Sequence, residues 1–108
     1  MIHVDDLANA YYLAAMKSDR NQVYNVTDGY FDTLADMVKA VSEAAKFKGE
    51  IEFIPFEEAS KEIGDFAEAL VIDQIIDSNK TKQDLQWDVK HQGFIKDVDL
   101  YLELWKAG

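Results

Sequence analysis

The sequence predicts an α/β fold, with a small mixed or parallel sheet of short strands and flanking helices. Segments of strand and helix character alternate along the chain, which favours parallel pairing. The run Val23–Thr27 is apolar on both faces, as expected for a strand that helices cover. The length of 108 residues suits one domain, residues 1–108, which can bury a core without disulfides or metals.

Four short segments have strand character. They are rich in β-branched and aromatic residues or alternate between apolar and polar positions. Asp28-Gly29 closes the second with a turn signal, and Pro55 indicates that the third lies near a sheet edge or leaves its sheet. The predicted strands are Ile2–Val4, Val23–Thr27, Glu50–Phe56 and Val71–Asp77.

Helical patterns occupy most of the remaining chain. The first helix is apolar on nearly every side, which predicts that it is covered on more than one side, and Asp5 or Asp6 is expected to cap it. Thr33 with Asp36 resembles a capping box for the second helix, and Gly49 is expected to stop it. Gly64 separates two short helices, and Ser78 is well placed to cap the next. The predicted helices are Leu7–Met16, Thr33–Phe47, Glu57–Ile63, Asp65–Leu70, Asn79–Leu85 and Gly93–Lys106.

The composition excludes several classes of function. Eleven Lys and Arg face 21 Asp and Glu, for a net charge of −10, so neither nucleic acid nor a membrane surface is an expected partner. Cysteine is absent, which excludes disulfides and thiolate chemistry. The longest apolar run, Ala10–Met16, is far shorter than the ~20 residues that span a bilayer. Without a basic secretory start, the expected location is cytoplasmic.

Few residues offer recognisable chemistry. The five glycines are scattered singly, so no phosphate-binding loop is predicted. His3 with Asp5 and Asp6 has the composition of a metal cluster or of a base with its carboxylate, although a capped helix start explains it as well. His91 is expected to be solvent exposed. Four residues around the Asp28-Gly29 turn offer either a sugar or nucleotide pocket or ordinary packing: Tyr24, Asn25, Tyr30 and Phe31.

Five stretches, taken in order, carry a family resemblance. They are His3-Val4-Asp5-Asp6-Leu7-Ala8, Tyr24-Asn25-Val26-Thr27-Asp28-Gly29, Thr33-Leu34, Asp77-Ser78-x-Lys80 and Leu85-x-Trp87. Together they resemble the C-terminal portion of extended short-chain dehydrogenases/reductases, in particular the NAD-dependent epimerase/dehydratase group. The resemblance covers almost the whole chain. One departure is Gln86, which stands where the family usually has glycine.

The resemblance implies a substrate-binding lobe. In that family an N-terminal Rossmann lobe holds the NAD or NADP cofactor and the catalytic Tyr-x-x-x-Lys, and this lobe would lie upstream of Met1. The chain itself is then expected to hold no catalytic residue, cofactor or metal. His3, Asn25 and Tyr30 are the residues expected to touch a substrate such as a nucleotide sugar.

Two functions remain open at this point. The first is a stand-alone or truncated substrate-binding part of a sugar epimerase/dehydratase-like protein, inactive without a Rossmann lobe in trans. The alternative is a small acidic interaction module, derived from such an enzyme, that associates with itself. Both readings predict exposed apolar surface, and hence a homodimer or a missing lobe as the partner.

Overall fold

The computed structural model describes residues 1–19 and 21–108. Within these residues the chain forms helices and no strand, so the predicted α/β fold with a small sheet is wrong. The helices are α1 (Val4–Lys17), α2 (Leu34–Ala44), α3 (Phe56–Ile63), α4 (Phe66–Leu70), α5 (Asn79–Leu85) and α6 (Val98–Ala107), with a 3-10 turn, Ile95–Asp97, before α6.

None of the four predicted strands pairs into a sheet in the described part of the chain. The ends of two of them belong to helices, because Val4 begins α1 and Phe56 begins α3. A strand needs a neighbour that supplies a ladder of N–H and C=O groups, and local β propensity cannot provide one. These segments therefore have the composition of strands, but no described segment pairs with them.

The segment of residues 23–28 is held by side chains instead of by a sheet. Alternate carbonyls along it accept hydrogen bonds from the helix α5 region: Lys80 Nζ to Val23 O at 3.0 Å, Thr81 Oγ1 to Asn25 O at 2.6 Å and Ser78 Oγ to Thr27 O at 3.1 Å. Ser78 does precede α5, as predicted, but its hydroxyl makes no cap hydrogen bond to that helix. These bonds dock the segment edge-on against α5.

Among the described residues, helix α1 is covered on one side. Ala10 packs with Leu85, Trp87 and Val89 in the main buried cluster. On the outer face, Tyr11, Tyr12 and Met16 are exposed. Residues 1–19 and 21–108 therefore do not supply the second cover that the apolar composition of this helix predicts.

The second packed group joins α2, the 3-10 turn and α6. The predicted cap of α2 is confirmed, because Thr33 Oγ1 accepts a hydrogen bond from the Asp36 N–H at 3.1 Å. The helix ends at Ala44, earlier than predicted, because Lys46 adopts a left-handed conformation with φ of 55°, well before Gly49. The last helix also begins later than predicted, since the 3-10 turn precedes it.

Helices α3 and α4 form a hairpin that contacts no other helix of the described residues. The predicted break is confirmed: Gly64 has φ of 75° and ψ of −153°, a region that is essentially restricted to glycine. Apolar side chains on both helices and on the flanking segments are exposed, including Phe53, Phe66, Leu70 and Ile75.

The whole chain is extended for its length. Its radius of gyration is 17.2 Å, against about 13 Å for a compact domain of this size. Its accessible surface is 8819 Å², whereas a folded monomer of this mass exposes about 6,100 Å². About 2,700 Å² of surface that a self-contained domain would bury is therefore uncovered. No helix in the described ranges has the length and apolar character needed to cross a membrane.

Candidate functional site

The buried carboxylate of Asp6 ties helix α1 to the loop after α5. Its two oxygens accept hydrogen bonds from the main-chain N–H groups of Lys90, at 3.0 Å, and His91, at 2.9 Å. Asp6 is only 2% exposed, so a charged group is buried and satisfied entirely by backbone donors. Neither Asp5 nor Asp6 is the N-cap, contrary to the prediction.

The cap of α1 is His3, whose Nδ1 accepts a hydrogen bond from the Asp5 N–H at 3.1 Å. Because His3 caps the helix, the Asp6 carboxylate is available to accept the hydrogen bonds from the loop after α5. Together the two contacts fix the start of α1, and with it the positions of His3 and Asp5.

Trp87 anchors the same loop from the other direction. Its indole Nε1 donates to the main-chain oxygen of Asp6 at 3.0 Å, and its ring is buried. Gln86, before it, caps α5 in a left-handed conformation with φ of 52°. This is the position at which the family resemblance expects glycine, the residue that adopts a left-handed conformation at least cost.

A cavity of about 240 Å³ opens at the N-terminal end of α1. Its walls are mostly apolar, with two histidines, one carboxylate and one phenol among them. The lining residues are Met1, Ile2, His3, Val4, Asp28, His91, Gly93, Phe94 and Tyr101. Among the described residues that line it, none is lysine or arginine.

Two histidine rings stack at the edge of this cavity. The rings of His3 and His91 lie 3.6 Å apart between centroids, with 13° between their planes. Asp5 Oδ2 lies 3.7 Å from His3 Nδ1 and 3.6 Å from His91 Nε2, and the Asp97 carboxylate lies 4.0 Å from His91 Nδ1. His91 is thus half-buried in a cluster, not solvent exposed as predicted from the sequence.

Tyr101 completes one wall, and its ring stacks on His3 with centroids 5.6 Å apart. Burial raises the pKa of the Tyr101 phenol above its ordinary value of 10.0, and the carboxylates of Asp97, Asp6 and Asp28 raise that pKa further. The raised pKa means that the Tyr101 phenol keeps its proton to higher pH than a free tyrosine does.

Of the three substrate-binding residues predicted from the sequence, only His3 lines this cavity. Tyr30 lines a neighbouring open cavity, on which Met1 also borders, and its ring lies against Gly93. Asn25 is exposed, and its main-chain oxygen is bound to Thr81. The structure therefore does not bring the three residues together in one cavity.

The residues that line this cavity offer little to an anionic ligand. The nearby carboxylates disfavour a phosphate group, since no lysine or arginine of the described lining offsets their charge.

No protein-family model, curated protein or solved structure matches this chain.

Proposed function

We propose that this chain is the ligand-binding lobe of an NAD(P)-dependent sugar epimerase/dehydratase-like protein that is active only when a cofactor-binding lobe covers it. The observation that carries the proposal is the uncovered surface of about 2,700 Å². An area of that size is far larger than the ~800 Å² that each partner contributes to a standard interface. Large apolar patches on a protein surface mark sites of association.

The arrangement of the resemblance motifs supports this proposal. Residues from four of the five stretches meet in one packed unit: Asp6 binds the loop that follows Trp87, while Ser78 and Lys80 bind the segment of residues 23–28. Motif residues that are distant in sequence therefore contact one another in the folded chain. Motifs that matched by chance would not be expected to lie in contact.

The face that a second lobe would cover lies on α1 and the neighbouring extended segment. Val23 is 78% exposed on the segment, and Tyr11 is 73% exposed on α1. The backbone groups of Tyr24 and Val26 form no hydrogen bond with any other described residue. This edge is open at Tyr24 and Val26, although Asp28 farther along donates its N–H to Met1 O at 2.9 Å. An open edge of this kind is suited to strand pairing with another sheet.

A second candidate is the acidic self-associating module, and the α3–α4 hairpin favours it. This hairpin carries exposed apolar side chains and packs on no other helix of the described residues, and a second copy of the chain would cover it. The charge of −10 on each copy opposes this association at low salt, because like charges repel over about 10 Å at 0.1 M.

Two matched substitutions distinguish the candidates by the face that associates. Val23→Asp and Phe66→Asp each place a carboxylate on an exposed apolar position, at 78% and 64% exposure, without touching the buried cluster. Sedimentation equilibrium of the wild type should show self-association in the absence of a partner. The lobe proposal predicts that Val23→Asp weakens association and Phe66→Asp does not. The interaction-module reading predicts the reverse.

Small-angle scattering at low concentration provides an independent check. A monomer with a radius of gyration near 13 Å, and with slow amide exchange throughout α3 and α4, would contradict both candidates.

Calorimetry with NADH or NADPH tests the missing cofactor lobe. It should give no binding heat, since the sequence contains no glycine-rich phosphate loop, and tight stoichiometric binding would overturn the lobe proposal.

A further inference from the structure

We propose that His3, Asp5 and His91 form a binding site for one divalent transition-metal ion, with Zn²⁺ as the reference ion. One ligand atom from each residue lies within 4.8 Å of the other two. Two imidazoles and one carboxylate are the donor set of many three-ligand zinc sites, and imidazole suits zinc, cobalt, nickel and copper better than magnesium or calcium. This proposal is independent of the proposed function.

The spacing of the donor atoms already approaches that of a bound ion. A tetrahedral zinc ion with ligands at ~2.0–2.1 Å places them about 3.4 Å apart. Asp5 Oδ2 lies 3.7 Å from His3 Nδ1 and 3.6 Å from His91 Nε2. The carboxylate therefore needs to move by only a few tenths of an ångström to share an ion with His91, while His3 also needs a new ring orientation.

The surroundings of His91 resemble the support of a metal ligand. Its Nε2 faces Asp5, while its Nδ1 faces the Asp97 carboxylate at 4.0 Å. A carboxylate that accepts a hydrogen bond from the second nitrogen would fix the ring and raise its basicity as a ligand, and Asp97 would have to approach by about 1 Å to do so. The buried Asp6 carboxylate holds the main chain at His91, so this ring is presented from a fixed position.

Binding requires one change in the cluster. The two rings are nearly parallel, so their in-plane lone pairs do not converge on one point. His3 must turn out of the stack and release the Asp5 N–H that it now accepts. The ion then has three protein ligands, and its fourth position opens toward the apolar cavity of about 240 Å³.

The test is titration of the tag-free chain with ZnCl₂ by calorimetry, with MgCl₂ and CaCl₂ as comparison ions. We expect saturable binding of one Zn²⁺ per chain and no binding of the two oxygen-preferring ions. Asp5→Asn, His91→Gln and His3→Asn should each weaken zinc binding by roughly tenfold or more, and Asp97→Asn by about 10- to 100-fold. Asparagine at position 3 keeps a good helix cap, and His91→Gln leaves the cap unchanged.

The matched control is Asp36→Asn, which removes a carboxylate from the first turn of α2 as Asp5→Asn does from α1. It should bind zinc as the wild type does. Titration with Co²⁺ should produce the intense visible absorption of a tetrahedral site, and NMR should show the His3 ring leaving the stack. The proposal fails if zinc gives no saturable heat, or if Asp5→Asn and His91→Gln bind as tightly as Asp36→Asn.

Discussion

The Asp6 carboxylate is the contact whose loss should destabilise the packed unit most. Asp6→Asn keeps the shape of the side chain and replaces one of its two acceptor oxygens by an NH₂ group. One of the two N–H donors, of Lys90 or His91, then faces another donor in a buried position. The other keeps an acceptor, but a neutral one.

The expected magnitude follows from these two bonds. A buried N–H group left without a partner costs about 1–3 kcal/mol, and a hydrogen bond to a charged acceptor exceeds a neutral one by about 1 kcal/mol. Asp6→Asn should therefore lower the free energy of unfolding by about 2–4 kcal/mol. For a chain of about 100 residues, each kcal/mol shifts Tm by about 4–8 °C.

Asp5→Asn is the matched control, because it removes the same charge from the neighbouring position. The Asp5 side chain is 74% exposed, whereas that of Asp6 is buried. Its loss at the helix N-terminus should cost at most about 1 kcal/mol. Urea unfolding followed by tryptophan fluorescence measures the difference, since Trp87 is buried in this unit and Trp105 is already exposed. Equal free energies of unfolding for the two variants would refute the assigned role of Asp6.

Three further outcomes are expected. Gln86→Gly should stabilise the chain by about 0.5–1 kcal/mol in urea unfolding, because relief of the left-handed conformation outweighs the added freedom of the unfolded chain. Gly64→Ala should cost about 1–3 kcal/mol in α3–α4 stability, seen as faster amide exchange there; unchanged exchange would contradict the assigned strain. The raised pKa of Tyr101 means that the folded state holds a proton that the unfolded state releases above pH 10.0, so stability falls as pH rises through that range. Tyr101→Phe should flatten this fall in unfolding curves recorded between neutral and alkaline pH.

Most helices of this chain could be predicted from local pattern alone. Each of the six α-helices overlaps a segment predicted as helical from apolar period, composition or capping residues. The bounds of α5 were predicted without error, and the cap of Thr33 on the Asp36 N–H is confirmed. A helix satisfies its own backbone, so its signals lie within a few residues of one another. The break at Gly64 is equally local.

The candidate site was predictable only in part. His3 and Asp5 are close in sequence, and the pattern HVDD drew attention to them. His91 lies at the far end of the chain, and only the bonds from Asp6 to the main chain at residues 90 and 91 bring its ring onto His3. No spacing rule for strands or helices connects positions so far apart in sequence. For the same reason, local pattern could not show that Asn25 and Tyr30 lie outside this cavity.

By itself, the sequence determined the helices, the acidic charge and the absence of thiol chemistry, because these depend on composition and on neighbours along the chain. Only the tertiary structure decided that the strand-like segments stay unpaired and that two histidines share one carboxylate. Sheet pairing and side-chain clusters both depend on partners distant in sequence. Where no partner strand is at hand, β propensity produces an extended segment with an open edge rather than a sheet.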